Sequence, residues 1–271
     1  MLNMKKKKIV ITGSSGFLGE HLMHALAEHD YELNIFDRDR HDLLRPKSLE
    51  SLVANSDIVI HLAGLNRDAD MDLLKINTLG TNGLLEALTY YAPTAKLIFS
   101  STFQIYYPQN LYAYSKKFAE ELIAYYSKKY NFRAVILRFS NLYGPGGKPF
   151  YNSVIATFAH LIKRDEKVHI KGDGEQKKDY LFVADAVDAI IKTINYDPRN
   201  VETFDICTGR LVSIIDVIRM IEKVLGKKVK VIHAKDKTVN PILKRNFHHA
   251  YEVLGWEPNI SLEEGLKVIL Q

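Results

Sequence analysis

Ile9-Val10-Ile11-Thr12-Gly13-Ser14-Ser15-Gly16-Phe17-Leu18-Gly19 is the stretch on which the fold turns. A short apolar run, apt for a buried strand, gives way to a glycine-rich turn and then to residues spaced for a helix. Glycines at such a turn let the backbone approach a pyrophosphate, whose charge then sits on the helix N-terminus. The spacing is G-x-x-G-x-x-G rather than G-x-G-x-x-G, and the turn alone has a second, lesser reading as a tight strand-to-helix connection. Asp37 adds weight to the nucleotide reading. It closes the second apolar run, 18 residues after Gly19, where a carboxylate can accept hydrogen bonds from the adenosine ribose of NAD. Arg38 and Arg40 pull the other way, because guanidinium groups there could embrace the 2′-phosphate of NADP. Asp37 would repel that phosphate, which favours NAD with NADP as the alternative. Asp42 and Leu43 follow where adenine would lie.

Outward from this stretch, short apolar runs alternate with longer helical patterns. Ile9–Ile11, Leu33–Phe36, Ile58–His61, Lys96–Phe99 and Ala134–Leu137 read as strands, with helices expected over Leu18–Glu28 and Leu73–Tyr90. Strands apolar on both faces, alternating with helices, imply an α/β protein with a doubly wound parallel sheet. The texture changes after Gly144-Pro145-Gly146-Gly147. Further helices are expected over Asp185–Asn195 and Ser213–Leu225, the latter closed by Gly226. The expected division is 1–145 for the nucleotide-binding domain and 146–271 for a smaller α/β substrate-binding lobe, with a segment near 176–206 returning to the first sheet.

Composition narrows the function. The 271 residues carry 37 Lys plus Arg against 32 Asp plus Glu, and Lys5–Lys8 supplies four of the positive charges. The rest of the chain is near balance, so no basic face for nucleic acid is expected. The single cysteine, Cys207, excludes an internal disulfide and a Cys-rich metal site. His21 with His24, and His248 with His249, lack partners at ligand spacing, and no metal is expected. No apolar stretch is long enough to span a membrane. Ile9–Ile11 is too short for a signal-peptide core, and a soluble, cytoplasmic protein is expected.

Tyr112-Ala113-Tyr114-Ser115-Lys116 places a phenol and an ammonium four residues apart, on one helix face. A phenol is a poor base at neutral pH, but a neighbouring ammonium favours its ionised form. With an upstream hydroxyl in Ser100-Ser101-Thr102, the pair can shuttle a proton to or from a sugar carbinol.

Taken together, these motifs resemble the extended short-chain dehydrogenase/reductase family, the NAD-dependent epimerase/dehydratase group, over nearly the whole chain. The resemblance rests on Thr12–Gly19, His61-Leu62-Ala63-Gly64, Asn77-x-x-Gly80-Thr81, Phe99–Thr102 and Tyr112–Lys116. It extends through Leu137–Gly146, Gly172-Asp173-Gly174, Lys178–Asp185 and Leu254–Pro258. It implies a Rossmann-type domain, with Tyr112 as acid/base, Lys116 holding the cofactor ribose and tuning Tyr112, and Thr102 bonding the reacting oxygen. Gly13, Ser15, Gly16, Phe17, Leu18, Gly19, Asp37, Arg38, Asp42, Leu43, Leu62, Ala63, Gly64, Asn77 and Ser100 would meet the cofactor, together with Tyr112 and Lys116. A nucleotide-diphosphate sugar would meet Thr102, Gln104, Asn141, Tyr151, Asn152 and Lys178. The family often dimerises through two helices per subunit, here 73–90 and 113–129, with Phe118, Leu122 and Tyr126 available for a homodimer.

Departures from the family pattern sharpen the expectation. Dehydratases follow the hydroxyl residue with Asp-Glu; here those positions are Phe103 and Gln104, which cannot serve as acid or base. Thr102 and Tyr112 lie only ten positions apart, whereas typical 4-epimerases carry a longer loop there. Residues 148–158 are similar to capsule-pathway reductases of nucleotide-linked 4-keto-6-deoxy sugars. The usual Arg before Asp-Tyr is Lys178, which keeps the charge but loses the bidentate fork. Hydride transfer at sugar C4 is expected, with a slight lean to a 4-ketoreductase over an NAD-dependent 4-epimerase of the UDP-glucose type. A non-catalytic dinucleotide sensor is the remaining alternative, disfavoured by the retained Tyr-Lys pair.

Overall fold

The computed structural model describes residues 6–151, 153–235 and 244–271. The order is β1 (Lys8–Thr12), α1 (Phe17–Leu26), β2 (Glu32–Ile35), α2 (Glu50–Val53), β3 (Ile58–His61), α3 (Asp70–Leu73), α4 (Gly80–Tyr91), β4 (Lys96–Thr102), α5 (Leu111–Tyr130) and β5 (Ala134–Phe139). Then come β6 (Asn141–Tyr143), α6 (Val154–Lys163), β7 (Val168–Lys171), β8 (Lys177–Phe182), α7 (Val183–Asn195), β9 (Val201–Ile206), β10 (Leu211–Ser213), α8 (Ile214–Leu225), β11 (Val231–Ala234), α9 (His248–Leu254) and α10 (Leu262–Leu270).

The chain divides into two units, Met1–Arg138 with Val187–Phe204, and Phe139–Ala186 with Asp205–Gln271. The segment that joins the first unit is therefore Val187–Phe204, not 176–206, and the first boundary falls at 138/139 rather than 145/146. Lys177–Phe182 is a strand of the second unit, pairing in parallel with β6 and antiparallel with β10.

In the first unit, six strands form one sheet in the order β2-β1-β3-β4-β5-β9. The pairs β1–β2, β1–β3 and β3–β4 are parallel. From β1 the chain moves to one side for β2 and to the other for β3, so the order reverses at β1. Such a reversal opens a crevice at the carboxyl ends of the strands, where ligands of α/β sheets bind. Val10, Val59, Leu97 and Ile136 carry the core under α4 and α5, joined by Leu84, Leu88 and Ile123. In the second unit, Tyr143, Phe158, Ile170, Phe182, Val217, Ile218 and Leu266 form a separate core. Helix α8 is set as its sequence implies: the Ser213 hydroxyl caps its start and Gly226, at φ 64°, closes it.

The helix expected over Leu73–Tyr90 is α3, a π-helical turn at Leu74–Leu79, and α4. The widened turn carries Asn77 inward, where its amide donates to Leu65 O and Ser115 Oγ and accepts from Leu65 N. Tyr126, expected on a dimer stripe, is 8% exposed in the core, with its hydroxyl donating to Asn82 Oδ1. The solvent-facing aromatics of α5 are Tyr114, Phe118, Tyr125 and Tyr130. No described helix is long and apolar enough to cross a membrane.

Candidate active site

The glycine turn at the end of β1 is built for close approach. Gly13 sits at φ 76°, and a Cβ there would stand 2.5 Å from Ala63 N. A Cβ on Gly19 would stand 2.1 Å from Gly13 O, so α1 can lie this close to the turn only with glycine. Gly16 caps α1 with no side chain of its own. Its exposed turn therefore leaves the first-turn amides free of an internal partner, the arrangement that receives an anion. These features fit the pyrophosphate of a dinucleotide.

The neighbouring turn after β3 is fixed by a buried chain of hydrogen bonds. Thr81 Oγ1 donates to Asn77 O at 2.7 Å, so it accepts from His61 Nε2 at 3.1 Å. His61 Nδ1 is then the acceptor for Thr12 Oγ1 at 2.6 Å, and Thr12 Oγ1 accepts the Ala63 amide at 3.3 Å. Every hydroxyl proton has one place to go, which assigns the neutral Nε2–H tautomer. Burial, and then the charge of Lys116, hold the imidazole down to about 3. His61 thus acts as a neutral strut between β1, α4 and the Leu62–Gly64 turn. The sequence reading placed His61 in a strand and a motif without seeing this role.

Tyr112 and Lys116 lie on α5, whose first turn is capped by Asn110 Oδ1 accepting from Ala113 N. Asn110 Nδ2 in turn donates to Gln104 Oε1 at 3.1 Å. That bond closes the short segment between Thr102 and Tyr112, which folds as one tight turn, Phe103–Tyr106, before Asn110. Thr102, 8% exposed, ends β4 and is hydrogen-bonded to the Tyr112 phenol. Lys116 donates to Ser100 O at 2.8 Å, with its Nζ 4.6 Å from the centre of the Phe99 ring. Burial draws the Lys116 ammonium down to about 8, against the pull of Glu120. Burial pushes the Tyr112 phenol up to about 12, the Thr102 bond working against it. Tyr112 therefore rests as a neutral phenol at neutral pH, set by burial rather than by the ammonium the sequence reading emphasised.

Gly13, Ser15, Gly16, Phe17, Leu18 and Gly19 make the turn and helix start, and Leu62, Ala63, Gly64 and Ser100 lie at the ends of β3 and β4 beside Lys116. Asp37 follows β2, accepts from Asp39 N and pairs with Arg40 at 3.5 Å, while Arg38 is exposed. Asp42 turns its carboxylate to Leu44 N and Arg45, and Leu43 is 6% exposed in the core, its carbonyl pressed against Gly83. Asn77 braces the Leu65 turn: both its N–H groups donate within the protein and its carbonyl oxygen accepts from Leu65 N. In the second unit Asn141 is exposed and donates to Asp179 O at 2.8 Å. Tyr151 is 41% exposed, and Lys178 is half-buried on β8, its ammonium lowered by burial. Asn152 lies outside the described residues. Among those residues no cluster of acids, histidines and cysteine could hold a metal ion.

A parallel sheet that reverses at β1, a glycine turn feeding a helix, and a Tyr-Lys pair under a threonine hydroxyl define a nucleotide-dependent α/β enzyme. The family model for the NAD dependent epimerase/dehydratase family matches residues 9–207. A putative UDP-glucose 4-epimerase of Methanocaldococcus jannaschii is 28% identical over 97% of both chains. A GDP-6-deoxy-D-mannose reductase of Pseudomonas aeruginosa is also 28% identical, over 97% of this chain and 96% of its own. The crystal structure of a UDP-glucose 4-epimerase from Thermotoga maritima with UDP-glucose superposes at a TM-score of 0.87, with 27% identity and 97% of both chains covered. The chain belongs to the NAD-dependent epimerase/dehydratase family, the nucleotide-sugar enzymes of the extended short-chain dehydrogenase/reductase group. Its cofactor is a nicotinamide dinucleotide.

Proposed function

We propose that this enzyme carries out hydride transfer at C4 of a nucleotide-diphosphate sugar, as a 4-ketoreductase. The carrying observation is the short segment from Phe103 to Asn110, latched by Gln104 and Asn110. It leaves no acid–base pair for dehydration and no long loop of the epimerase kind. A bound nicotinamide dinucleotide supplies the hydride. Tyr112, a neutral phenol held by Thr102, gives its proton to the oxygen of the reduced carbon. Lys116 holds the ribose hydroxyls and stabilises the phenolate left behind, which is the work of an ammonium fixed at Ser100 O. Thr102 orients the same substrate oxygen, and Asn141, Tyr151, Asn152 and Lys178 recognise the nucleotide-sugar.

A second reading, the 4-epimerase, is favoured by Asp37. Its pairing with Arg40 draws one of the two flanking arginines onto the carboxylate, which suits a retained NAD. The same Tyr112 and Lys116 would then work in both directions. We also assign the exposed aromatics Tyr114, Phe118 and Tyr125 of α5 to a homodimer contact.

Mass spectrometry of dinucleotide released from freshly purified, denatured protein tests the pair of readings. An empty site that then binds NADPH or NADH reversibly supports the ketoreductase. Near-stoichiometric NAD overturns it in favour of the epimerase, and failure to bind either dinucleotide overturns both.

A further inference from the structure

Ser101, Glu120, Arg138 and Tyr106 form a second polar chain in the first unit, which the chemistry above does not use. Ser101 Oγ donates to Glu120 Oε1. Arg138 Nη2 donates to Glu120 Oε2 at 2.6 Å, and its Nε reaches both carboxylate oxygens at 3.2 Å. Arg138 Nη1 donates to the Tyr106 hydroxyl at 2.9 Å. Ser101 is 4% exposed and Glu120 7%.

Ser101 and Glu120 lie on the elements that carry the catalytic side chains, Tyr106 ends the turn between them, and Arg138 ties them to β5. Ser101 stands between Ser100, whose carbonyl holds Lys116, and Thr102, which holds Tyr112. Tyr106 ends the turn that runs to the Asn110 cap. Glu120 is one helical turn beyond Lys116 and two beyond Tyr112, on the same face of α5. A buried ion pair gains little stability over an apolar replacement of equal shape. Its value here lies in where it places atoms and charge.

We propose that Glu120 is a positioning residue for the Tyr112–Lys116 pair. Clamped by Ser101 and Arg138, it holds the end of β4 against α5 and sets a negative charge one turn from the Lys116 ammonium. This rests on reading Tyr112 and Lys116 as the acid–base pair. The groups that face Lys116 are His61 on β3, Ser100 O and the Phe99 ring on β4, and Tyr112 and Glu120 on its own helix. His61 is neutral, so Glu120 is the charge that opposes the loss of the Lys116 proton on burial. Glu120 itself is faced by Ser101 from β4 and Arg138 from β5.

The test is a 13Cε NMR titration of lysine-labelled protein, with the Lys116 resonance assigned by Lys116→Arg, alongside the pH profile of turnover on a nucleotide-linked 4-keto-6-deoxy sugar and on UDP-glucose. In Glu120→Gln the Lys116 titration is expected to fall by about one unit, the alkaline limb of kcat/KM following it. Turnover should drop about tenfold or more with KM for the dinucleotide little changed, and Glu120→Asp should recover part of it. A Glu120→Gln protein that folds with Lys116 titrating as in the parent overturns the proposal. Should that variant not fold because Arg138 is left unpaired, Ser101→Ala decides. It keeps the ion pair and frees only the end of β4. A lower kcat at unchanged dinucleotide affinity and an unmoved alkaline limb supports the clamp, and unchanged kcat overturns it. The titration needs no substrate. A parent protein that turns over neither sugar and binds no dinucleotide defeats the functional reading, while a Lys116 shift in Glu120→Gln still reports on the clamp.

Discussion

The two units of this enzyme treat their polar side chains in opposite ways. In the first, His61, Thr81, Thr12, Asn77 and Ser115 are buried in closed hydrogen-bond chains that reach the turns and helix bearing the candidate chemistry. In the second, the buried acids serve the backbone. Asp185 accepts from the Asn259 and Ile260 amides while its carbonyl takes the Trp256 indole, and Asp179 accepts from Thr208. The candidate substrate residues Asn141 and Tyr151 lie exposed. Proton and hydride transfer demand sub-ångström placement, so the groups concerned are held before any ligand arrives. Recognition of a sugar tolerates variation, and its residues sit on short strands and turns where exchange is cheap.

The sharpest way to break this contrast is Tyr112→Phe. Loss of the phenol proton should lower kcat by about 10³-fold, within the usual range for removing an acid–base group, with dinucleotide affinity nearly unchanged. Turnover at the parent rate would remove Tyr112 from the chemistry. Gly19→Ala comes next. The added methyl meets Gly13 O, and the turn must yield, so a loss of about 3 kcal/mol in stability is expected, read as a lower Tm with weakened dinucleotide retention. An unchanged Tm would show that the turn is looser than its packing implies.

The third prediction concerns the buried strut. His61 titrates near 3 in the folded protein against 6.5 when free. Between those values the unfolded chain holds the proton and the folded protein does not. Stability therefore rises with pH across this window and is lost as pH falls through it, by about 2 kcal/mol at pH 5. Chemical denaturation of the parent and of His61→Asn at pH 5 and pH 7.5 measures this; equal pH slopes in the two proteins would remove His61 as the cause. The smallest effect belongs to the second unit. Lys178→Arg restores a bidentate fork for a diphosphate and should lower the KM for a nucleotide sugar about threefold, with kcat unchanged. A change in kcat instead would place Lys178 among the catalytic groups and blur the division between the units.

Much of the first unit was legible in the chain itself. The strands at Ile58 and Ala134 begin where the apolar runs begin, and β1 one residue before Ile9, because parallel strands buried on both faces leave a continuous signature. Tyr112 and Lys116 could be paired by spacing, since i and i+4 share a helix face whatever surrounds them. Asn110 is a capping residue type just before a helical run, a signal that would have located the Gln104 latch. Asn77 and Tyr126 show what spacing leaves out. A polar amide and a phenol on helices look available from spacing alone, yet one braces a turn 12 residues earlier and the other packs in the core.

The sequence by itself determined the alternation of strand and helix, the glycine turn, and the presence of a Tyr-Lys pair beneath a hydroxyl. These depend on residue types within a few positions of one another, where backbone geometry alone sets the neighbours. The tertiary structure decided what those groups are bonded to: the neutral tautomer of His61, the resting proton on Tyr112, the bracing of the Leu65 turn by Asn77, and the meeting of Ser101, Glu120 and Arg138. Those contacts join residues 10 to 49 positions apart. Protonation and hydrogen-bond direction follow from burial and from the partner each donor finds, and both exist only once the chain has folded.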